Sequence, residues 1–219
     1  MNDVATVQSI SLKEVFYLVI KRTFDIICGL IGVLILIPIS IIIKIIYICN
    51  KDFSPIFFTQ NRIGKNGKEF KFYKYRSMVA NADEVLFRML KEDKEIAKEY
   101  KKNKKLKNDP RITKIGAFLR KTSLDELPQL INVLKGDMSI IGNRPYLPRE
   151  KEDMGEYYDD IVKTKPGITG YWQVSGRSDL SFKERLELEQ FYSNQISLKL
   201  DIKIFFKTFL VVFLKKGAK

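Results

Sequence analysis

A long uncharged run near the N-terminus constrains this 219-residue chain more than any other feature. From Ile26 to Ile43 the sequence reads IICGLIGVLILIPISIII, without a single charged side chain. Such a run is typical of a membrane helix, because about 20 apolar residues cross the hydrocarbon core of a bilayer. A buried helix of a soluble protein is the alternative, but few soluble helices are apolar on every face over this length.

Basic residues flank the apolar run on both sides. Lys21 and Arg22 precede it, and Lys44 and Lys51 follow it. The positive-inside rule therefore places both flanks, and with them both termini, in the cytoplasm. Pro38 removes a backbone hydrogen bond and favours a kink within the run. We expect a re-entrant helix that bends at Pro38 and returns to the same face; a spanning helix is the alternative, because spanning helices also contain proline.

The composition narrows the chemistry that the chain can perform. Lysine and arginine total 39 against 26 acidic residues, and the net charge of +13 favours anionic lipid, phosphorylated substrates or nucleic acid as partners. The chain has no histidine, which excludes histidine bases, Ser-His-Asp triads and the commonest zinc sites. Cys28 and Cys49 lie in or beside the apolar run and do not indicate a disulfide framework. The groups that remain available for catalysis are carboxylates, arginines, lysines, hydroxyls and hard metal ions.

We predict two regions: an N-terminal segment with the membrane helix over residues 1–52, and a cytoplasmic domain over residues 53–219. The second region has the pattern of an α/β domain that is rich in helix and contains a small β-hairpin. Within Pro55–Met78, Asn66-Gly67 suits a type I′ turn between two strands.

Three further segments predict helices. Ala80–Lys107 reads as one helix that ends in a basic stretch, which is either a solvated face or a contact with anionic lipid. Ile112–Arg120 resumes a helical period. In Ile196–Lys219, Lys199, Lys203 and Lys207 recur on one helix face opposite apolar residues. That pattern predicts an amphipathic helix, which either lies in the membrane interface or packs on the core of the protein.

The segment Asp109–Pro145 carries the candidate chemistry. We expect Ser123 to cap a helix, Glu126 to complete a capping box and Gly136 to end the helix. Asp125 and Glu126 then lie in the first turn, where acidic residues complement the helix dipole. An adjacent carboxylate pair can also bind a divalent cation or divide the roles of nucleophile and acid–base catalyst. Candidates for binding phosphate oxygens are Arg111, Arg120 and Arg144.

Together these motifs resemble the bacterial sugar transferase family, the monotopic polyprenol-phosphate phosphoglycosyl transferases. The resemblance extends from about Lys21 to Leu214, and it is specific as a set although no single motif would be. The matching motifs are Lys21-Arg-x-Phe-Asp25, Phe58-x-Gln60-x-Arg62-x-Gly64, Phe72-x-x-Tyr75-Arg76-Ser77-Met78, Asp109-Pro-Arg-Ile-Thr-x-x-Gly116, Leu119-Arg-Lys-Thr-Ser-Leu-Asp-Glu-Leu-Pro-Gln-Leu130, Gly136-Asp-Met-Ser139, Arg144-Pro145 and Lys165-Pro-Gly-Ile-Thr-Gly170.

The resemblance implies a reaction and roles for particular residues. A UDP-sugar would donate its sugar-1-phosphate to undecaprenyl phosphate, releasing UMP, at the cytoplasmic face of the bacterial inner membrane. Asp125 matches the family nucleophile that carries a covalent phosphosugar, and Glu126 matches its acidic partner; the pair would also hold Mg²⁺. Arg120 and Arg144 match phosphate-binding arginines of the family. Arg111, Arg76 and Arg62 lie in matching motifs and are further candidates for binding the substrate.

The resemblance also implies a re-entrant helix broken at proline, and a place at the start of exopolysaccharide, capsule or glycan synthesis. Phosphoryl transfer depends on positioning and charge neutralisation, which suits a chain without histidine. Ala80–Lys107 and Trp172–Gly176 are more similar to hexose-1-phosphate members, so we expect UDP-glucose or UDP-galactose as donor; a UDP-N-acetylated sugar is the alternative. Oligomerisation is left open. The absence of a multi-span N-terminal region predicts the short catalytic form.

The chain differs from the family pattern at two positions. Ile37 precedes Pro38 where many members have serine, which affects hydrogen bonding at the predicted kink. Asn143 precedes Arg144 where the family usually has proline, which predicts a less rigid loop.

Two other functions are alternatives to the transferase. One is a membrane-anchored basic protein that binds nucleic acid, although no signature of nucleic-acid binding is present. The other is a membrane scaffold without activity, against which the acidic pair argues.

Overall fold

The apolar run belongs to one long helix. The computed structural model describes residues 11–103, 106–176 and 180–213. Helix α1 (Leu12–Cys49) continues through Pro38 over 38 residues, which at 1.5 Å per residue is about 57 Å. Its most apolar 18-residue window has a mean hydropathy of 3.1 and is only 22% buried, so a helix enclosed in a soluble core is not favoured. Among the described residues it is the one helix long and apolar enough to cross a membrane.

The predicted hairpin is confirmed. Strands β1 (Phe57–Ile63) and β2 (Glu69–Tyr75) pair in a two-stranded sheet, and a short 3-10 turn over Lys65–Gly67 connects them. Asn66 and Gly67 have φ angles of 57° and 75°, the left-handed values that a type I′ turn requires.

The helix predicted over Ala80–Lys107 is divided in two. Helix α2 (Ala82–Glu92) ends at Asp93, whose backbone is extended at φ −124° and ψ 112°. Helix α3 (Lys94–Asn103) starts there because the Asp93 carboxylate accepts the backbone N–H groups of Glu95 and Ile96. Part of the basic stretch, residues 104 and 105, lies outside the described residues.

Helix α4 (Lys114–Lys121) confirms the helix predicted at Ile112–Arg120. The predicted helix that Ser123 was expected to cap is different in the structure. Ser123 has φ 57° and its side chain makes no cap, so the predicted capping box is wrong. A 3-10 helix, Leu124–Glu126, comes first, and helix α5 (Gln129–Lys135) follows after Pro128, which cannot donate a backbone hydrogen bond.

The remaining chain forms a parallel strand pair and five helices within the described residues. Strand β3 (Ser139–Ile141) pairs with β4 (Gly167–Thr169) in parallel, with Ser139 opposite Gly167. The helices are α6 (Lys151–Met154), α7 (Tyr158–Ile161), α8 (Tyr171–Ser175), α9 (Phe182–Asn194) and α10 (Leu198–Phe213), with 3-10 turns at Pro148–Glu150 and Gly155–Tyr157. The α-rich character with small sheets is thus confirmed.

The chain divides into two compact units, and α1 and the hairpin contribute residues to both. Unit 1 contains the chain up to Gly32, Asn61–Lys71 and the part from Leu130 onward; unit 2 contains Val33–Gln60 and Phe72–Gln129. Among the described residues, the core of unit 1 includes two clusters, and each joins side chains from distant parts of the sequence. The first contains Ile63, Tyr146, Met154, Ile161 and Leu186, and the second contains Ile141, Tyr192 and Ile204.

In unit 2, the C-terminal half of α1 packs on β2. The Ser40 hydroxyl lies 2.6 Å from the buried Tyr75 hydroxyl, and Phe57 stacks on the Tyr75 ring. The Tyr47 hydroxyl donates to the carbonyl of Arg76. These contacts fix the end of β2, directly before the predicted site residue Arg76.

Helix α10 packs on the core of the protein, which was one of the two alternatives predicted for the C-terminal segment; its place in the membrane interface stays a prediction. Ile204 is buried in the core of unit 1, so the helix packs on the protein. Phe206 and Leu210 remain 64% and 59% exposed, which leaves a second apolar surface on the same helix. Residues 214–219 of the predicted segment lie outside the described residues.

Candidate active site

The acidic pair lies on the short 3-10 helix Leu124–Glu126 of unit 2. The left-handed Ser123 turns the chain out of α4 and directly into this helix. Asp125 is buried with 9% exposure, whereas the side chain of Glu126 is 40% exposed. The two adjacent carboxylates therefore have different environments, which suits different roles.

Lys74 of β2 contacts both carboxylates. Its Nζ lies 2.8 Å from Oε1 of Glu126 and 3.9 Å from Oδ2 of Asp125. Burial raises the pKa of Asp125, the charge of Lys74 opposes that rise, and the neighbouring charge of Glu126 adds to it. Asp125 is thus a buried carboxylate with one close cation, which keeps it available as an anion although it holds its proton more tightly than an exposed aspartate.

Arg120 is the predicted site arginine that the structure leaves exposed in unit 2. Its Nε donates to Oγ of Ser77 at 2.8 Å, and its charge also lowers the pKa of Asp125. Helix α4 holds this position because Gly116 packs directly on Ser77: a Cβ at Gly116 would lie 1.8 Å from the Ser77 carbonyl oxygen. With Nε bound to Ser77, the two Nη groups of Arg120 remain suited to phosphate oxygens.

Arg76 and Arg111 are buried in ion pairs within unit 2. Arg76 donates to the carboxylate of Asp52 at 2.9 Å and to the Pro55 carbonyl at 2.8 Å. Arg111 donates to both oxygens of Asp109, at 2.8 and 2.6 Å. Burial raises the pKa of Asp109, but the hydrogen bonds from Arg111 outweigh burial and hold it below its ordinary value. Protein groups thus satisfy both guanidinium groups, and their predicted contact with substrate stays a prediction.

Arg62 and Arg144 belong to unit 1. Arg62 donates from Nη1 to the Pro145 carbonyl at 3.0 Å, which supports the loop after β3. The backbone N–H of Arg144 donates to Oε1 of Glu189 at 2.7 Å, and its guanidinium lies 5.9 Å from the ring centroid of Tyr146. Arg144 Nε is buried and has no hydrogen-bond partner in the described part of the chain.

Asn143 replaces the family proline with hydrogen bonds. Its side-chain amide donates to the Ile161 carbonyl at 3.1 Å, to Oγ1 of Thr164 at 3.2 Å and to Oγ of Ser193 at 2.6 Å. Asn143 is buried, with 3% exposure. These bonds attach the loop before Arg144 to two other segments, Ile161–Thr164 and helix α9. The lower rigidity expected for this loop stays a prediction.

The acidic pair offers the oxygen ligands that Mg²⁺ prefers. No group of three or more potential metal ligands occurs among the residues that the structure describes. Mg²⁺ commonly binds through one or two carboxylates and completes its coordination with water and substrate phosphates. Asp125 and Glu126 fit such an ion bound together with a diphosphate, and the ammonium group of Lys74 lies at the same carboxylates.

The sequence reasoning missed Lys74 and Glu189. Lys74 was only one of several lysines on the hairpin, and it lies 52 positions before Glu126. Glu189 occurs in an ordinary charged helix and has no motif of its own, yet it is 1% exposed. No spacing rule connects such distant residues; Lys74 occupies a variable position within the motif Phe72–Met78, and Glu189 lies in no motif.

The structure thus brings together two carboxylates, a lysine and an exposed arginine, and the surrounding motifs point to a family. The family model for "Bacterial sugar transferase" matches residues 16–215. The chain therefore belongs to the bacterial sugar transferase family, as the motifs predicted.

Several relatives have descriptive names. The chain is 47% identical over 199 residues to the "Undecaprenyl-phosphate galactose phosphotransferase" of Salmonella typhimurium, covering 91% of this chain and 41% of that protein. It is 38% identical over 207 residues to the "UDP-glucose:undecaprenyl-phosphate glucose-1-phosphate transferase" of Escherichia coli K12, covering 91% of this chain and 41% of that protein. The chain thus spans less than half the length of these relatives.

A shorter relative is covered almost completely. The "Exopolysaccharide production protein ExoY" of Rhizobium meliloti is 39% identical over 202 residues, which are 90% of this chain and 87% of that protein. The match therefore includes both units of the structure.

Proposed function

We propose that this chain transfers a sugar-1-phosphate from a UDP-sugar to undecaprenyl phosphate and releases UMP, in the synthesis of a surface polysaccharide. The observation that carries the proposal is the buried Asp125 beside Glu126 and Lys74, within the motif of a matched family. The names of the Salmonella and Escherichia coli relatives support both the reaction and the lipid acceptor.

We propose a two-step displacement at Asp125. A carboxylate oxygen of Asp125 attacks the β-phosphorus of the UDP-sugar, the bond from that phosphorus to the bridging oxygen breaks, and UMP leaves with the electron pair. A phosphate oxygen of undecaprenyl phosphate then attacks the same phosphorus and releases the Asp125 carboxylate. The product is the lipid-linked diphosphate sugar, and water-soluble donor and lipid acceptor use the site in turn.

The neighbouring groups would neutralise charge during both displacements. Arg120, exposed beside Ser77, has free donors for the equatorial phosphate oxygens, and Lys74 balances the carboxylates before the donor binds. Glu126 is sufficiently exposed to exchange protons with solvent and substrate. Mg²⁺, held by Asp125 and Glu126, would neutralise the charge of the diphosphate.

Membrane association through α1 suits a lipid acceptor, because a polyprenol phosphate keeps its headgroup at the membrane surface. The exposed apolar residues of α1 support that association. We propose that the catalytic units lie on the cytoplasmic face with both termini cytoplasmic, and that α1 is re-entrant around Pro38. Labelling of an introduced cysteine near residue 2 from the periplasmic side alone would contradict this orientation.

We propose UDP-glucose or UDP-galactose as the donor. The Salmonella relative is named for galactose, and the Escherichia coli relative is named for glucose. A UDP-N-acetylated sugar is the alternative donor for the same reaction.

UMP release from a panel of UDP-sugars tests this function. The purified chain in detergent receives Mg²⁺ with or without undecaprenyl phosphate, beside a D125N variant. We expect acceptor-dependent turnover with UDP-glucose or UDP-galactose, and no turnover with D125N. Folded, membrane-bound protein that releases no UMP from any UDP-sugar would contradict the proposed reaction.

A further inference from the structure

A basic pocket lies in unit 1, on the N-terminal part of α1. The cavity of about 100 Å³ is lined by five cationic side chains and one carboxylate, that of Asp25. The cations are Lys21, Arg22, Lys65, Lys163 and Lys165. All of them belong to unit 1, and none has a role in the proposed reaction.

The protein itself neutralises only part of this positive charge. Lys21 pairs with Asp201 at 2.6 Å, and Lys163 pairs with Asp160 at 2.5 Å. The Asp25 carboxylate accepts the Ser139 hydroxyl at 2.9 Å and the Ile140 N–H at 2.8 Å. Arg22 donates to the neutral backbone carbonyls of Val133 at 2.7 Å and Leu134 at 2.8 Å. No ion pair within 4.0 Å occurs for Arg22, Lys65 or Lys165 among the residues that the structure describes, so these three cations exceed the acidic side chains that line the pocket.

Arg22 and Lys165 converge although both are cations. A Cβ at Gly136 would lie 3.6 Å from Nη2 of Arg22 and 3.6 Å from Nζ of Lys165. Burial lowers the pKa of Lys165, and the charge of Arg22 lowers it further. A bound anion would relieve this repulsion, since it supplies the missing countercharge.

An apolar groove adjoins the basic pocket. It has a volume of about 300 Å³ and lies between α1 and α10, where Phe24, Ile202 and Phe206 line it. Lys21 and Asp25 line the apolar groove as well as the basic pocket, so these two side chains border both cavities. The basic pocket is complementary to an anionic lipid headgroup, and the apolar groove is complementary to an acyl chain.

We propose that the basic pocket and the apolar groove together bind an anionic phospholipid of the surrounding bilayer. The headgroup phosphate lies in the basic pocket near Arg22 and Lys165, and an acyl chain lies in the apolar groove against Phe206. Helix α1 brings both cavities to the membrane, because its apolar residues around them are exposed: Leu18 is 45% and Val19 59% accessible. The bound lipid is not a reactant, so this site goes beyond the proposed transfer.

A binding titration tests the proposal without any donor substrate. The full chain in a neutral detergent is titrated with phosphatidylglycerol or phosphatidylcholine, each with a fluorescent acyl chain. We expect phosphatidylglycerol to bind about tenfold more tightly, because the unpaired cations select a net negative headgroup. Inorganic phosphate and undecaprenyl phosphate serve as competitors.

Matched variants separate the two halves of the site. K65Q/K165Q removes two cations of the basic pocket and should abolish the preference for phosphatidylglycerol, whereas K68Q, in the same turn as Lys65 but outside the pocket, should preserve it. F206S should weaken both lipids, whereas F209S, on the same helix but outside the apolar groove, should not. Thermal unfolding identifies variants that do not fold; the single changes K65Q and K165Q then replace the double variant.

Three outcomes would overturn the proposal. Equal affinity for both phospholipids, or a preference that survives loss of the two lysines, would show that the pocket does not select charge. Displacement of phosphatidylglycerol by millimolar inorganic phosphate, with F206S unchanged, would assign the pocket to a free anion. Displacement by undecaprenyl phosphate at far lower concentration than by unlabelled phosphatidylglycerol would assign the site to the acceptor instead.

Discussion

Asp125 of unit 2 and Glu189 of unit 1 are both buried carboxylates with raised pKa values, but their surroundings differ. Burial raises the pKa of Glu189 to about 7, against the opposing effects of the Tyr146 hydroxyl, the Arg144 N–H and two arginines. Burial also raises the pKa of Asp125, against the charges of Lys74, which it shares with Glu126, and of Arg120. Glu189 is 1% exposed and Asp125 9%.

The difference distinguishes a structural carboxylate from a reactive one. One carboxylate oxygen of Glu189 accepts the backbone N–H of Arg144, which holds the loop after β3 in place. For Asp125, the ion pair with Lys74 is 3.9 Å long, longer than a hydrogen bond, and the charge of Arg120 and a hydrogen bond with its own backbone also stabilise the carboxylate. A buried carboxylate whose neighbouring cation lies beyond hydrogen-bond distance is suited to nucleophilic attack, whereas one that accepts a backbone N–H from another segment is suited to support a loop.

Replacing Asp125 should have the largest effect on activity. We expect D125N to lower the rate of UMP release by about 10⁴-fold or more, because the amide cannot form the covalent intermediate. Thermal stability should not fall, since a buried charge is removed without a change of shape. The exposed aspartate of α2 provides the control: D83N should retain wild-type rates. Substantial turnover by folded D125N would remove the distinction between the two carboxylates.

Replacing Glu189 should instead change stability and its pH dependence. The raised pKa means that the folded state binds more protons than the unfolded state between about pH 4.5 and pH 7, so this group lowers stability as the pH rises through that window. E189Q should remove this loss of folding stability, which is about 3 kcal/mol for a pKa that rises from 4.5 to about 7 on folding. Chemical denaturation of both proteins at pH 4.5 and pH 7.5 measures it; parallel pH curves would contradict the prediction.

A conservative change at Arg120 should have an intermediate effect on catalysis. R120K keeps the charge but loses the planar guanidinium that binds Ser77 and phosphate oxygens together, so we expect kcat/KM to fall about 10- to 100-fold. R88K, on the exposed side of α2, should change nothing. If R120K and R88K behave alike, Arg120 does not contact the substrate.

The smallest expected effect concerns Lys74 and is a shift of the pH profile. K74Q removes the cation that lowers the pKa of Asp125, so that pKa should rise further. Because the nucleophile must be ionised, the acid limb of kcat/KM should move to higher pH, while the rate on the alkaline plateau stays within about tenfold of wild type. K71Q is the matched control on the same strand. An unmoved acid limb would show that Lys74 does not influence the nucleophile.

The sequence predicted those parts of the fold that depend on local patterns. The apolar run identified α1, and Asn66-Gly67 identified the hairpin, because each signal lies within one element. The acidic pair and Arg120 were proposed as site residues because they occupy matching positions of the motifs, and the structure places them in the same unit. These predictions needed no knowledge of how distant segments meet.

The remaining features depend on contacts that local patterns do not encode. Serine is a common helix-capping residue, but Ser123 adopts a left-handed conformation between α4 and the 3-10 helix and makes no cap. Asp93 interrupts a helical pattern because its own side chain caps the following helix. The parallel pairing of β3 with β4 joins three-residue strands that are too short to be recognised from alternation.

The most direct test of the central claim is the intact mass of the protein after reaction with UDP-galactose or UDP-glucose in the absence of acceptor. We predict a mass increase of one hexose phosphate, located on Asp125 by peptide mapping and removed when undecaprenyl phosphate is added. UMP release that requires donor and acceptor together, with the protein mass unchanged throughout, would contradict a covalent intermediate and the nucleophilic role of Asp125.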